Sequence, residues 1–187
     1  LDHLQIDKAA LVGFSIGGMI NRRFALDHAN RLSALAILNS PHDRGDKAQA
    51  MVEARAAAVR SEGAMATMEA ALERWFTDDY RSSNPDFMKT VRAWRRKVDA
   101  QSYAEAAWVL ATGVKELTRP TTQVNVPTIV ITSENDSGST PDMAAAIASE
   151  IDQADLYIVP ELKHLGLIEQ PQSFTSPIVE FFKKHSL

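Results

Sequence analysis

Three residues of this chain have the types and the order that nucleophilic acyl transfer requires: Ser15, Asp136 and His164. Ser15 stands in Gly13-Phe14-Ser15-Ile16-Gly17-Gly18, directly behind the apolar run Ala9-Ala10-Leu11-Val12. A Gly-x-Ser-x-Gly pattern at a strand-to-helix junction makes a turn so tight that small residues must flank the serine, and it lifts the hydroxyl above the end of the sheet. A serine hydroxyl is a poor nucleophile near neutral pH. It needs a base within hydrogen-bond reach and a third group that orients the base. His164, in Glu161-Leu162-Lys163-His164-Leu165, is the candidate base, and Asp136, in Glu134-Asn135-Asp136-Ser137-Gly138, is the candidate acid. Glu134 is the rival acid, but it lies closer to the preceding strand. The backbone N–H of Ile16, next after the nucleophile, is the candidate oxyanion donor. Taken singly, Asp136 has a plainer reading as a turn aspartate among Asn, Ser and Gly, and His164 as a structural histidine. The joint pattern argues otherwise: three residue types in order, each just past a predicted strand. His3, His28, His42 and His185 fall on other elements and are expected to be surface or helix-end residues.

The elements that must position these residues follow from the hydrophobic pattern. Residues 9–14 read as a short buried strand ended by glycine. A helix should follow, with Met19, Ile20, Phe24 and Ala25 at helical spacing and with Gly17 and Gly18 letting it pack close to the strand. Residues 33–39 read as a second buried strand, and strand–helix–strand with short connections favours a parallel sheet. Residues 43–118 change character: rich in Ala, Arg and Glu, they carry almost no strand signal. Met65, Met68, Leu72 and Trp75 form one apolar stripe. Phe87, Val91, Trp94 and Val98 form another behind the helix start Asn84-Pro85, and Ser102-Tyr103-Ala104-Glu105 reads as a capping box. About four helices are expected there. The α/β pattern then resumes with strand 128–132 behind Pro127, a helix opened by Thr140-Pro141, strand 155–159, and a last helix expected to start at Ser176-Pro177. Asp136 and His164 both fall just past the carboxyl ends of these strands, where open parallel sheets place their active sites.

Composition narrows the function classes. The 187 residues can form a sizeable core. A net charge of −4 with interspersed signs shows no basic face for nucleic acid. No apolar run approaches membrane-spanning length. The absence of cysteine excludes disulfides, thiolate metal sites and a cysteine nucleophile, and it fits a reducing, cytoplasmic compartment. No cluster suggests a metal, and the serine mechanism needs no cofactor. The expected partner is a small-molecule ester or lactone, and self-association into a homo-oligomer stays open.

These motifs resemble the α/β-hydrolase family over essentially the whole chain, and within it the 3-oxoadipate enol-lactonases and their relatives. The elbow is family-wide. More specific are Arg55-Ala56-Ala57-Ala58-Val59-Arg60-Ser61-Glu62-Gly63 with Leu72-Glu73-Arg74-Trp75-Phe76-Thr77, and His164-Leu165 followed by Ile168-Glu169-Gln170-Pro171-Gln172-Ser173-Phe174. The resemblance implies an α/β class fold: a mostly parallel sheet with a helical cap inserted between the second and third strands of this chain. The core parts are then 1–42 and 119–187, and the cap is 43–118. It also implies hydrolysis of the lactone of a small keto diacid, with a free carboxylate to be bound. Arg55 or Arg60 on the cap is the candidate for that carboxylate, and Phe14 and Trp94 are candidate pocket residues. A solvated helix face is the plainer reading of either arginine, and cap core that of Trp94. Lys163 departs from the pattern, standing where relatives carry glycine, which points to a changed loop.

In the family the elbow follows the fifth of eight strands. The resemblance therefore implies that the early strands and the second oxyanion donor belong to sequence ahead of Leu1, and that strand 9–14 has an uncovered edge. A chain of these residues alone is expected to be an impaired enzyme. Competing expectations are other chemistry of the same triad (carboxylester hydrolysis, carbon–carbon bond hydrolysis, perhydrolysis) and a non-catalytic binding module.

Overall fold

A computed structural model describes residues 1–186. Four strands, β1 (Ala9–Phe14), β2 (Leu32–Leu38), β3 (Thr128–Ser133) and β4 (Asp155–Val159), form one sheet in the order β1-β2-β3-β4. All three pairings are parallel. The intervening helices are α1 (Ile16–His28), α2 (Gly45–Glu62), α3 (Met68–Trp75), α4 (Asp78–Ser83), α5 (Pro85–Lys97), α6 (Ala100–Thr112), α7 (Pro141–Ser149), α8 (Gly166–Glu169) and α9 (Gln172–Lys184).

Strand periodicity divides the core between two faces. Leu35 and Ile37 of β2 and Val130 of β3 pack with Ala25 of α1 and with Ala144 and Ile147 of α7. Ala34, Ala36, Leu38, Ile129 and Ile131 point the other way and pack with Phe174 and Phe181 of α9. Helices on both faces explain why β2 and β3 are continuous apolar runs rather than alternating ones. β1 departs from the expected buried strand. It is one of the two edge strands among the described residues, and Val12 is 54% exposed because the helices cover the centre of the sheet rather than this side of β1.

The segment between β2 and β3 holds five α-helices, α2 to α6, rather than about four. Met68 and Leu72 pack with Phe76, Met88 and Val91 in a separate apolar cluster. Trp94 and Val98 fall outside it, at 56% and 45% exposed. α6 starts earlier than the Ser102 capping box implies. Asp99 accepts the Ser102 N–H at 2.8 Å and is the true N-cap. α7 does open at Thr140, whose hydroxyl accepts the Met143 N–H at 3.3 Å. α9 starts at Gln172, before Ser176-Pro177, and runs through Pro177. An interior proline costs a helix about 3 kcal/mol. Here Phe174 and Phe181, one face of the helix seven residues apart, stay buried against the sheet only if the helix continues.

Parallel strands deliver their carboxyl ends to one edge. Ser15 follows β1, Asn39 follows β2, Asp136 follows β3 and His164 follows β4. The α2–α6 segment leaves from the same edge, after β2. It is stitched to the His164 loop: Leu165 N–H donates to Trp75 O at 2.8 Å, and the Glu169 carboxylate accepts from Thr77 N–H at 2.8 Å and Thr77 Oγ1 at 2.6 Å.

Candidate active site

Ser15 occupies φ 56°, ψ −116°, a conformation sparsely populated by L-residues that costs of order 1–3 kcal/mol. The turn holds it there by hydrogen bonds from Ser15 N–H to Leu38 O at 2.8 Å and from Gly18 N–H to Ser15 O at 3.0 Å. Two glycines make the turn possible. A Cβ on Gly13 would run into the backbone of Gly17, and one on Gly18 would lie 2.6 Å from Ser40 Cβ. Gly17 differs from the expectation of close packing, since nothing lies within 4 Å of the position its Cβ would take. Ile16 opens α1, so its N–H has no partner within the helix and is available to a ligand oxygen.

Ser15, His164 and Asp136, widely spaced in sequence, come together in one hydrogen-bonded chain. His164 Nε2 lies 3.1 Å from Ser15 Oγ, and His164 Nδ1 lies 2.6 Å from Asp136 Oδ2. Asp136 is 2% exposed, and its other oxygen, Oδ1, accepts the N–H groups of Gly138 at 2.9 Å and Ser139 at 3.0 Å. Burial alone raises the Asp136 pKa. The hydrogen bond and charge of His164, and the donors Asn39 and Gly138, outweigh that and hold the carboxyl below its ordinary range. Glu134 is turned away and exposed, accepting the Glu161 N–H at 2.8 Å. The Phe14 ring sits against the His164 ring at 4.9 Å between centroids.

Asn39 is a site residue that sequence reasoning missed. It is fully buried at φ 44°, and its Nδ2 donates to Asp136 Oδ2 at 2.9 Å and to Ser133 Oγ at 3.2 Å. Its only sequence signal was its place at the end of a predicted strand, on the edge where the other three stand.

A cavity of about 400 Å³ opens onto Ser15 and His164, a size suited to a small molecule. Arg55 lines it, together with Arg44, Arg74 and Arg95. Arg60 points elsewhere, pairing with Glu105 at 3.2 Å and lying over the Trp108 ring. Trp94 is corrected: it does not line the cavity but sits on the outer side of α5 with its edge against Phe87. Phe14 likewise supports His164 from the core side rather than lining the cavity. His42 is no surface residue; it is 7% exposed, with Nε2 3.0 Å from Glu150 Oε1. Lys163 keeps an ordinary backbone, so a side chain there brings no strain. Its amine reaches Asp78 at 2.9 Å and Glu73 O at 3.0 Å.

Residues 1–171 match the family model described as alpha/beta hydrolase fold. The chain is 29% identical to 3-oxoadipate enol-lactonase 2 of Acinetobacter baylyi over 98% of its own length and 67% of that protein. Among solved structures it is similar to the enol-lactonase from Burkholderia xenovorans LB400, at a TM-score of 0.84 and 28% identity, covering 97% of this chain and 68% of that one. It is also similar to a thermophilic esterase from Thermogutta terrifontis solved with malate bound, at a TM-score of 0.82 and 26% identity, covering 98% and 68%. The chain thus spans about two thirds of the length of these relatives. Among the described residues no helix is long and apolar enough to cross a membrane.

Proposed function

Because the chain belongs to the alpha/beta hydrolase family, we propose that it hydrolyses a small ester or lactone through an acyl-enzyme formed on Ser15. Ser15 Oγ attacks the carbonyl carbon while His164 Nε2 takes the hydroxyl proton. Asp136 fixes the histidine tautomer through Nδ1 and stabilises the imidazolium that forms. The Ile16 N–H binds the developing oxyanion; one such donor is worth roughly 10²–10³ in rate. Collapse breaks the bond to the leaving oxygen, which receives the proton from His164. Water, deprotonated by the same nitrogen, then releases the acyl group and restores the hydroxyl.

The observation that carries this reading is the unbroken hydrogen-bond chain from Ser15 Oγ through His164 to the buried Asp136. Likeness to the enol-lactonases supports a small carboxylate-bearing lactone as substrate, with Arg55 as one carboxylate ligand and residues 43–118 acting as the cap over the site. The test is labelling with a fluorophosphonate probe and mapping of the adduct by mass spectrometry. We expect an adduct on Ser15 that His164→Ala abolishes. An unlabelled Ser15 in folded protein overturns the reading. Turnover of an enol-lactone to its ring-opened keto acid would support the lactonase reading, whereas turnover of acyclic esters alone would support a carboxylesterase.

A further inference from the structure

The cavity beside Ser15 is lined by four guanidinium groups and almost no negative charge. Arg44 precedes α2, Arg55 lies in α2, Arg74 in α3 and Arg95 in α5. The one acidic residue in the lining is Asp136, whose two oxygens are taken up by His164, Asn39, Gly138 and Ser139.

The other arginines are treated differently. Among the described residues, Arg22, Arg23, Arg31, Arg60, Arg81 and Arg92 each have a carboxylate within 4 Å, and Arg96 and Arg119 are open to solvent. The cavity four have no carboxylate partner among the described residues. Arg44 donates only to neutral acceptors, Gln49 Oε1 at 3.2 Å and the carbonyls of Leu110 and Ala111 at 3.1 and 3.4 Å. Arg95 donates to Ala64 O at 2.8 Å and Thr67 Oγ1 at 2.9 Å, and Arg74 to Ala70 O at 3.2 Å within its own helix. Among the described residues Arg55 has no side-chain hydrogen-bond partner. Arg44 Nε and Arg95 Nη1 are buried without a hydrogen-bond partner; Arg95, only 6% exposed, lies over the Tyr103 ring at 4.3 Å and the Trp75 ring at 5.6 Å. An unpaired donor on a desolvated cation is among the costlier features a fold can keep.

The charges are mutually strained. Burial, and then the charge of Arg55, push Arg44 down to about 10. Burial, then Arg55 and Arg95, lower Arg74, which alone of the four also feels Asp136. By element, Arg44 and Arg55 line the cavity from the α2 side and Arg74 and Arg95 from the α3 and α5 side. One carboxylate engages one or two guanidinium forks and would leave half of the four uncompensated.

We propose that this cavity takes a substrate bearing two carboxylates, one held by Arg44 and Arg55 and the other by Arg74 and Arg95. The ester or lactone carbonyl then lies toward Ser15. That last placement rests on the hydrolase reading; the anion binding does not.

The experiment reads binding rather than turnover. Ser15→Ala protein, which cannot consume an ester, is titrated calorimetrically with glutarate, monomethyl glutarate and dimethyl glutarate. Each added carboxylate is expected to tighten binding at least about tenfold, as charge-assisted hydrogen bonds to buried guanidinium would. Arg55→Gln and Arg74→Gln, neither of which removes a bond to another element, should each weaken glutarate about tenfold and leave dimethyl glutarate unchanged. Arg60→Gln, outside the cavity, should change nothing. If monomethyl glutarate binds as tightly as glutarate, only one carboxylate is read and the proposal falls. It falls equally if all three bind alike, or if none binds. A failure of fluorophosphonate labelling would sink the hydrolase reading and leave these affinities untouched.

Discussion

Asn39 donates its side-chain amide to Asp136 Oδ2 at 2.9 Å, the same oxygen that meets His164 Nδ1 at 2.6 Å. One carboxylate oxygen thus receives two donors, and β2 contributes directly to the orientation of the histidine. Hydrogen bonds to a charged group contribute about 1.5–3 kcal/mol each. Asn39 is accordingly a positioning residue, acting through Asp136. Asn39→Ala should lower kcat about tenfold with little change in KM. It should also raise the Asp136 pKa. A depressed carboxyl contributes stability that is present above the unfolded value of about 3.9 and lost as pH falls through the folded value. In the variant the folded value lies closer to the unfolded one, so less of this stability is present at neutral pH and its loss is complete at a higher pH, and the acid unfolding midpoint moves up. An unchanged acid transition alongside a tenfold loss of rate would mean Asn39 acts by packing alone.

Asp136→Asn tests the orientation of the base. The amide oxygen of the variant can still accept from Gly138 and Ser139, so the loop is kept. Its NH₂ then faces His164 Nδ1 and drives the imidazole to the tautomer whose Nε2–H points at Ser15. Deprotonation of the hydroxyl is blocked, and kcat should fall about 10⁴-fold; the same NH₂ faces the Nδ2 donor of Asn39, so the melting temperature should fall as well. The rate of fluorophosphonate labelling, measured beside a thermal melt, checks this. A labelling rate within tenfold of the parent would remove Asp136 from the mechanism.

The hydrogen-bonded chain of the candidate site was legible in the sequence where a tight turn and the strand order restrict residue type. A nucleophile elbow needs small residues, and the acid and base must follow strands, so Ser15, Asp136 and His164 could be read from order and spacing. Asn39 could not, because an asparagine after a strand reads as ordinary turn chemistry until its partner across the sheet is known. His42 was misread for the same reason: its partner Glu150 is distant in sequence. The start of α6 was misplaced because Asp99 and Ser102 are both good caps and only one can be used. Trp94 followed its apolar stripe on paper, but the buried face of α5 runs through Met88, Val91 and Arg95, and Trp94 lies to one side of it.

The elbow glycines are not equivalent. Gly18→Ala sets a methyl 2.6 Å from Ser40 Cβ, where α1 meets the end of β2. Overpacking of this kind costs about 1–3 kcal/mol, and the shift of α1 should displace Ser15 and depress labelling. Gly13→Ala meets backbone rather than a side chain, so it should be worse. Gly17→Ala meets open space in the first turn of a helix and should be neutral or slightly stabilising. Melting temperatures of the three variants give the ranking Gly17→Ala, Gly18→Ala, Gly13→Ala from most to least stable. A Gly17→Ala protein as damaged as the Gly13 variant would contradict this geometry.

One buried charge cluster fastens both crossings between the sheet and the helical segment. Arg22 of α1 donates to Pro41 O at 3.0 Å and Leu117 O at 2.6 Å, one on each crossing. Glu150, at the end of α7, lies 3.6 Å from Arg22 Nη2 and 3.0 Å from His42 Nε2, and it accepts the Arg119 N–H at 2.6 Å. Burial lowers Arg22 to about 10, opposed by the charge of Glu150. Removing one partner of a buried pair leaves the other charge uncompensated, which costs about 3–5 kcal/mol. Glu150→Ala should therefore lower the melting temperature by roughly 10 °C. Glu150→Gln, which still accepts from Arg119, should cost less. Because the crossings carry the arginine-lined helices, substrate KM should rise in Glu150→Ala more than kcat falls. Asp27→Ala, which breaks the exposed Arg23 pair, is the control and should leave the melting temperature almost unchanged. A Glu150→Ala protein that melts with the control would show that these bonds do not hold the crossings.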